Sequence, residues 1–505
     1  MTQQSNNIQQ FLIVGGGTAG WLAVATLSNI LQNADCQITL VESNDIGTIG
    51  VGEATIPPLL DAIRALGIDE ADFIRKTQAT FKWGIQFRDW LQKGSDYFHP
   101  FGALGRRIDG HEFYQVWLKC RAEGDNTPLM AHSVEAELCT QQRFFEPFNA
   151  ANTPLASAQY ALHLDSGLVA NYLRDFAIAR GVQRIEGTVS QVHQHQNGDI
   201  ASVSLIDGQQ LSAQFFIDCS GFRGLLIEQT LNAGYHDWSA YLPCNRAVTV
   251  QSQNVHDALP YTIATARESG WTWQIPLQHR TGNGYVFCDQ FCDDQTATDT
   301  LLNAVEGEVI STPRIIPFTT GMRKQCWFKN CLALGLAQGF LEPLESTAIH
   351  LVSKTLALFV RYFPSLSDNQ FLQQEFNRKV ELDYLEIRDF LILHYCTTKR
   401  SDTAFWQHCA NMPIPDSLQY KIELFKQAGN LVHQDEALFQ SSSWYAIFTG
   451  MQVFPQRYNP TLDALNSQKL QQSLAAGANA IKQAVSKQPA HMEFIRQYCA
   501  APNPG

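Results

Sequence analysis

The sequence has no long apolar run and no dense cluster of basic residues. No stretch approaches the ~18–20 consecutive apolar residues that span a bilayer, and the N-terminus lacks the basic region and apolar segment of a signal peptide. The formal net charge is −12, the wrong sign for tracking a phosphate backbone. We therefore expect a cytoplasmic protein that binds neither membranes nor nucleic acid.

The cysteines also lack the spacings that bind metal. The twelve cysteines form no C-x-x-C pair, and Cys288 with Cys292 is a single C-x-x-x-C without a companion. We expect buried free thiols and no metal site. With 505 residues and 45% hydrophobic content, the chain can bury a large core, and we expect two interleaved modules.

What is present begins with a short apolar strand that leads into a glycine-rich turn. Residues 11–14 precede Gly15, Gly17 and Gly20, which satisfy G-x-G-x-x-G, and a helix is predicted from about Trp21 to Gln32. Such a turn directs backbone N–H groups and a helix N-terminus at a pyrophosphate. The alternative is a turn that only connects strand to helix.

A second strand, Gln37–Glu42, ends in an acid. The carboxylate of Glu42 is placed to accept hydrogen bonds from ribose hydroxyls. Because strand, helix and acid agree in spacing, we predict dinucleotide binding. The position near the N-terminus favours FAD, with NAD as the alternative on this stretch alone.

Two further stretches are candidates for a planar ligand. Residues 46–58 contain glycines that interrupt an apolar run, which favours a flavin-contacting loop over a solvent loop. Apolar and polar residues alternate with period two over residues 80–90, which predicts a strand. A lysine on such a strand, here Lys82, is most often solvated. Only the aromatic residues around Lys82 argue against that interpretation. His99 and Phe101 belong either to the core or to a pocket wall.

Other segments organise the chain. Helices are predicted over residues 61–76, 112–122 and 166–180, a hairpin turn at Asn197-Gly198, and a return into the parallel sheet over residues 213–221. The apolar strand from Cys331 leads to a helix opened by Ser346 and Thr347 and continuing to Tyr362, which offers unpaired N–H groups to an anion. The last third reads as largely helical, with one packed face formed by Phe376, Val380, Tyr384, Ile387 and Leu391.

Several motifs together resemble the flavin-dependent halogenases of the tryptophan halogenase type, over about residues 10–460. They are G-x-G-x-x-G at Gly15–Gly20, Gly50-Val-Gly-Glu-Ala-Thr-Ile-Pro57, Phe81-Lys82, His99-Pro-Phe101, Glu342-Pro-Leu-Glu-Ser-Thr347, His394-Tyr395, and the W-x-W-x-I-P element of Trp271, Trp273, Ile275 and Pro276. The last element is the most specific, because it separates these halogenases from flavin monooxygenases of the same fold.

The resemblance implies an α/β fold: an FAD-binding Rossmann-like module of the aromatic-hydroxylase (GR2) type with a β-meander, interleaved with a largely helical substrate module. We assign residues 1–100, 160–225 and 325–360 to the FAD-binding module. Residues 101–159, 226–324 and 361–505 then form the substrate-binding and helical module.

The resemblance also implies a two-component reaction. A separate NAD(P)H-dependent flavin reductase supplies FADH₂, the flavin reacts with O₂ to a C4a-hydroperoxide, and chloride or bromide attacks it to give hypohalous acid. Lys82 orients that acid or carries it as a haloamine, and Glu345 assists activation or takes the arenium proton. A monomer or a homodimer is expected.

The remaining site residues are carried over position by position from the family motifs. Halide is expected at the N–H groups of Thr347 and Ala348, and the aromatic substrate at His99, Phe101, Ser346 and Trp444. The expected cofactor contacts are Gly15, Gly17, Thr18, Ala19, Gly20, Glu42, Gly50, Val51, Gly52, Glu53, Ala54 and Leu336.

The substrate is expected to be indole or an indole derivative. Residues 422–444 do not show the Tyr-Tyr…Glu…Phe-Trp pattern with which tryptophan-specific members hold the amino acid, and Ala437–Gln440 stands where the Phe-Trp pair is expected. Two alternatives stay open: a flavin-dependent aromatic hydroxylase, which needs neither Lys82 nor a halide site, and a non-enzymatic flavoprotein-like carrier.

Overall fold

The computed structural model of the chain describes residues 6–44, 52–433 and 437–502. The predicted cofactor residues Gly50 and Val51 lie outside these ranges. The chain divides into two compact units, the first formed by residues 1–78, 164–239 and 318–385 and the second by residues 79–163, 240–317 and 386–505.

The first unit is built on a parallel sheet. Its six strands lie in the order Trp327–Phe328, Cys331–Ala333, Phe215–Asp218, Gln10–Val14, Gln37–Glu42 and Gln183–Glu186, and all neighbours are parallel except the first pair. The predicted return of residues 213–221 into this sheet is confirmed, with Leu12 opposite Phe216. The predicted hairpin turn at Asn197-Gly198 joins the first two strands of a three-stranded antiparallel meander. Its strands are Val189–Gln194, Ile200–Leu205 and Gln210–Ser212.

The first unit has helices besides its strands, and Thr18–Ile30 packs against the strands Gln10–Val14 and Gln37–Glu42. The helices are Thr18–Ile30, Pro58–Ala65, Glu70–Thr77, Ser166–Ile178 and Ala348–Arg361, with short strands at Gly52–Ala54, Tyr235–Asp237, Gly321–Arg323 and Gly339–Phe340. The single helix predicted over residues 61–76 is wrong. Gly67 has φ +71 and ends the first of two helices, and Asp69 caps the second through the N–H of Asp72.

The second unit contains a seven-stranded sheet. Its strands lie in the order Arg314–Pro317, Arg246–Ser252, Thr281–Phe287, Gly270–Pro276, Thr262–Arg267, Gly84–Arg88 and Asp96–Pro100. All pairs are antiparallel except Thr262–Arg267 with Gly84–Arg88. The strand predicted over residues 80–90 is broken at Trp83, whose N–H donates to the carbonyl of Pro260, so Thr80–Lys82 is a separate strand paired with residues 161–163.

Helices dominate the rest of the second unit. They are Phe113–Ala122, Val134–Thr140, Asp294–Ala304, Ala404–Asn411, Asp416–Ala428, Ser441–Gly450, Ser467–Val485 and His491–Tyr498. The helix Gln370–Cys396, whose residues up to 385 belong to the first unit, carries the face predicted to be packed, and the five residues of that face are buried. In the part of the chain that the structure describes, no helix is both long and apolar enough to cross a membrane, and no cluster of metal-ligating side chains is found.

Candidate active site

The glycine-rich turn of the first unit has the space that a bound pyrophosphate needs. A Cβ on Gly15 would lie 2.2 Å from the carbonyl oxygen of Cys219, and a Cβ on Gly20 would lie 1.9 Å from the carbonyl oxygen of Gly15. Among the described residues, nothing lies within 4 Å of the position that a Cβ on Gly17 would take. Gly17 immediately precedes the helix Thr18–Ile30, and a glycine-rich turn at a helix N-terminus fits a dinucleotide phosphate.

The acid at the end of the second strand is held in place. Glu42 accepts hydrogen bonds from Nε of Arg184 at 2.5 Å and from Nε1 of Trp21 at 3.3 Å. A Cβ on Gly16 would run into the Glu42 side chain, so the acid lies directly against the turn. This position fits the predicted contact with a ribose hydroxyl.

Two other predicted cofactor segments lie in the first unit. Glu53 lies in the strand Gly52–Ala54, and burial, with a smaller contribution from the charge of Asp165, raises the pKa of Glu53 to about 7. Leu336 lies in the short 3₁₀ turn after Gly335, where an added Cβ would lie 2.7 Å from Cβ of Ala19. The turn of Leu336 therefore packs against the nucleotide-binding turn.

The segment around Glu345 has a constrained backbone. Ser346 has φ +61, a conformation that residues other than glycine rarely adopt, and joins a 3₁₀ turn ending at Glu345 to the helix Ala348–Arg361. Glu345 and Thr347 are each 1% exposed, whereas Ala348 is exposed. The first N–H groups of this 14-residue helix have no acceptor within it, an arrangement suited to an anion.

Lys82 is fully buried in the second unit. Its side chain is 0% exposed and its Nζ lies 5.2 Å from the ring centroid of Phe101. The interpretation of Lys82 as a solvated strand residue is therefore wrong. An ammonium over an aromatic face is attracted by the negative face of the ring, and this attraction strengthens when water is excluded.

The aromatic cluster of the second unit is larger than the sequence indicated. The ring centroid of His99 lies 5.6 Å from that of Phe390 and 6.2 Å from that of Phe439. Phe390 stacks on Phe439 with centroids 3.8 Å apart and meets Trp444 edge-on at 5.1 Å. The structure thus brings His99 and Trp444 onto one aromatic cluster, and Phe390 and Phe439 were missed.

The local sequence around Phe390 and Phe439 did not mark either residue as part of a substrate site. Phe390 precedes Leu391 on the long helix, where its ring could be read as ordinary core. Phe439 belongs to the stretch Ala437–Gln440, but one phenylalanine there does not reproduce a Phe-Trp pair. The carboxylate of Glu386 accepts from the N–H groups of Leu438 and Phe439, at 3.1 and 3.0 Å, and so fixes the position of the Phe439 ring.

The W-x-W-x-I-P element is part of the core of the second unit. Trp271 and Trp273 are 1% and 7% exposed with centroids 5.9 Å apart, and Trp271 lies 6.3 Å from Trp90. The paired tryptophans are therefore part of the core. Ile275 is also buried, and the carbonyl of Pro276 accepts from Oγ1 of Thr80 at 2.6 Å, which ties this element to the strand of Lys82.

Comparison with known proteins agrees with this geometry. The tryptophan halogenase family model matches residues 10–467. The tryptophan 7-halogenase RebH of Lentzea aerocolonigenes is 32% identical, over 98% of this chain and 99% of that protein.

Two solved structures are similar to this chain over nearly their whole length. The flavin-dependent halogenase Xcc4156 from Xanthomonas campestris has a TM-score of 0.95 at 43% identity, covering 99% of this chain and 100% of that one. BrvH, a flavin-dependent halogenase from Brevundimonas sp. BAL3, has a TM-score of 0.94 at 40% identity, covering 98% and 100%. With the nucleotide turn, the buried lysine and the W-x-W-x-I-P element in place, the chain belongs to the tryptophan halogenase family and is a flavin-dependent halogenase.

Proposed function

We propose that this halogenase transfers chlorine or bromine to indole or an indole derivative, with Lys82 as the residue that presents the halogen to the ring. The observation that carries the proposal is the complete burial of Lys82 with its Nζ 5.2 Å from the Phe101 ring centroid. A lysine is seldom fully buried unless its ammonium interacts with a charged or polar group. The aromatic side chains of this unit are of the kind that recognises a flat, electron-rich ring.

In this proposal Lys82 acts as an ammonium. A protonated amine is a compact donor of three hydrogen bonds that can polarise hypohalous acid, whereas haloamine formation needs the neutral amine. The Phe101 ring attracts an ammonium placed over its face, so we propose hydrogen bonding in preference to a covalent haloamine. Glu345 is assigned as the acceptor of the proton that the ring loses.

The cofactor and halide positions complete the proposal. FAD is assigned to the turn Gly15–Gly20, Glu42, Gly52–Ala54 and Leu336, and halide to the N–H groups of Thr347 and Ala348. Reduced FAD, when bound, supplies the electrons that activate O₂. Members of this family take reduced flavin from a separate reductase, and we expect that partner to use NAD(P)H in the cytoplasm.

The substrate proposal distinguishes this chain from its tryptophan-specific relatives. RebH is named for tryptophan, but residues 422–444 of this chain lack the expected tyrosine–glutamate set. A buried ammonium or carboxylate without a partner costs several kcal/mol, roughly 2–5 at a buried charged site. Rings can be recognised by His99, Phe390 and Phe439, so we expect ring recognition without an amino-acid clamp and substitution at the nucleophilic C3 of indole.

Aromatic hydroxylation is not favoured as a second function. A hydroxylase has no use for a buried lysine or a halide position, and the full-length similarity is to halogenases. A carrier without activity needs neither a buried lysine nor a halide position.

The test is product mass after incubation of the protein with FAD, a flavin reductase, NADH, bromide and indole. We expect a mass increase with the isotope doublet of one bromine, which disappears when bromide is omitted. Oxygen incorporation would indicate the hydroxylase, and absence of turnover would indicate the carrier.

A competition between indole and tryptophan in one vessel tests the substrate class. We expect brominated indole to predominate, with NMR placing bromine at C3. A strong preference for tryptophan with a single benzo-ring isomer would show that an amino-acid clamp exists.

A further inference from the structure

The strand that carries Lys82 is held by a side chain from the C-terminal part of the chain. Strand Thr80–Lys82 pairs with residues 161–163, and the backbone N–H of Phe81 donates to Nε2 of His491 at 3.2 Å. His491 begins the helix His491–Tyr498 and is 1% exposed. A buried strand N–H without an acceptor is costly, so the imidazole replaces the strand that would otherwise pair here.

The second nitrogen of His491 fixes which nitrogen carries the proton. Nδ1 lies 2.8 Å from the carbonyl oxygen of Ala258. A carbonyl oxygen only accepts, so Nδ1 carries the hydrogen and Nε2 presents its lone pair to the Phe81 N–H. Burial lowers the pKa of His491 to about 4, so the ring is neutral at physiological pH and keeps this lone pair.

The residues around His491 also hydrogen-bond to the segment 142–144, which packs on Phe81. The N–H of His491 donates to the carbonyl of Gln142 at 2.9 Å, and the N–H of Phe144 donates to the carbonyl of Pro489 at 3.2 Å. Phe81 stacks on Phe144 with centroids 3.7 Å apart. The ring of Phe494 lies 5.6 Å from Phe81 and 4.8 Å from Phe144.

We propose that His491 is a positioning residue for Lys82, acting through the Thr80–Phe81 peptide, one residue before the lysine. The inference rests on the role of Lys82 proposed above. A rotation of that peptide would displace the Cα–Cβ direction of Lys82, and a misplacement of about 1 Å at a reacting group can cost about 100-fold in rate. The family model ends at residue 467, so this support lies beyond the segment that it covers.

Two substitutions separate the two hydrogen bonds of His491. Asparagine has the reach of Nδ1, so His491→Asn keeps a donor to Ala258 and loses the acceptor for Phe81. Glutamine has the reach of Nε2, so His491→Gln can place its amide oxygen opposite the Phe81 N–H. Tyr498→Ala, at a position 60% exposed on the same helix, is the matched control.

The first measurement is hydrogen exchange of a peptide covering residues 80–83, followed by mass spectrometry. His491→Asn should accelerate exchange of the Phe81 amide by about tenfold or more, because an N–H without an acceptor opens more readily. His491→Gln and Tyr498→Ala should leave it protected. If His491 served only in general packing, the exchange rate of the Phe81 amide would change equally in His491→Asn and His491→Gln.

The second measurement is halogenated product per flavin oxidised, with kcat and KM for indole. For His491→Asn we expect kcat and the coupling ratio to fall about tenfold while KM stays within about twofold, since the lysine is misplaced but the ring pocket is intact. His491→Gln should stay within about threefold of the wild type. Equal protection and equal turnover in both variants would overturn the proposal.

Lys82→Ala in the same series separates this inference from the proposed function. If Lys82→Ala retains wild-type turnover, the proposed function itself fails. If Lys82→Ala is inactive and His491→Asn is fully active, only the role of His491 fails. Should His491→Asn not fold, His491→Gln decides: retained protection and coupling support the proposal, and loss of both overturns it.

Discussion

The nucleotide-binding turn of the first unit and the lysine strand of the second are built in different ways. The turn is made by residues close in sequence, Gly15 to Gly20, and its geometry is set by where a Cβ cannot fit. The strand Thr80–Lys82 depends on Pro276 and His491, which are about 200 and 400 positions away. The comparison shows why the turn can be recognised from a short motif while the surroundings of Lys82 cannot.

The largest expected effect belongs to the lysine strand. Lys82→Ala should reduce halogenation by about 1000-fold or more while FAD affinity stays unchanged, because the lysine presents the halogen and does not bind the nucleotide. Product by mass spectrometry and FAD titration by fluorescence measure the two properties. Lys93→Ala, at a side chain 63% exposed in the same unit, is the control. Wild-type turnover by Lys82→Ala would show that the lysine strand has no role in halogen transfer.

A buried acid, Glu135 of the helix Val134–Thr140, lies against the turn that carries Phe101 and has a second testable effect. Glu135 is 0% exposed, accepts from the N–H of Gln159, and lies where a Cβ on Gly102 would collide with its Oε1. Burial raises the pKa of Glu135 to about 8. The folded protein therefore holds a proton that the unfolded chain, with an ordinary pKa of 4.5, releases.

Stability should consequently fall as pH rises from about 4.5 to about 8. The contribution of Glu135 is on the order of 1 kcal/mol per pH unit in the free energy of unfolding, and Glu135→Gln should abolish it. Denaturant unfolding at several pH values gives the difference between wild type and variant. Glu137→Gln, one residue beyond Ala136 and partly exposed, is the control and should keep the wild-type slope. Parallel curves for wild type and Glu135→Gln would contradict the assignment.

The nucleotide turn gives a smaller effect that separates packing from cofactor binding. Gly20→Ala places a methyl group 1.9 Å from the Gly15 carbonyl oxygen and should destabilise the protein without cofactor by about 2 kcal/mol. The added methyl group of Gly17→Ala meets no atom of a described residue within 4 Å, so unfolding should be unchanged while FAD affinity falls about tenfold. Denaturant unfolding and FAD titration measure both. Unchanged FAD affinity in Gly17→Ala would show that the phosphates do not lie at this turn.

The smallest effect is expected in the aromatic cluster. Phe439→Ala removes the ring that stacks on Phe390 and should raise KM for indole about tenfold with kcat nearly unchanged, because ground-state and transition-state binding are lost together. Tyr420→Ala, at a residue 64% exposed in the same unit, should change neither constant. A fall in kcat without a change in KM would place Phe439 in the chemistry instead of in ring binding.

Particular residues show how far sequence patterns reach. The strand Gln37–Glu42 has the predicted bounds, because it depends on the period and composition of a few adjacent residues. The glycine at position 67, which ends the first of the two helices, is also a local signal, but the single helix predicted over residues 61–76 ignores it. Phe390 and Phe439 could not be paired, since 48 positions separate them and no local period joins them.

The sequence by itself determined the family, the nucleotide turn and the candidates Lys82 and Glu345, because glycine spacing and short motifs express constraints between neighbouring residues. Only the tertiary structure decided that Lys82 is buried over Phe101, that Glu386 fixes the position of Phe439 and that His491 supports the strand of the lysine. The physical reason is that burial and hydrogen-bond partnership are properties of the folded packing. A lysine in an alternating strand has the same local pattern whether its ammonium meets water or an aromatic ring.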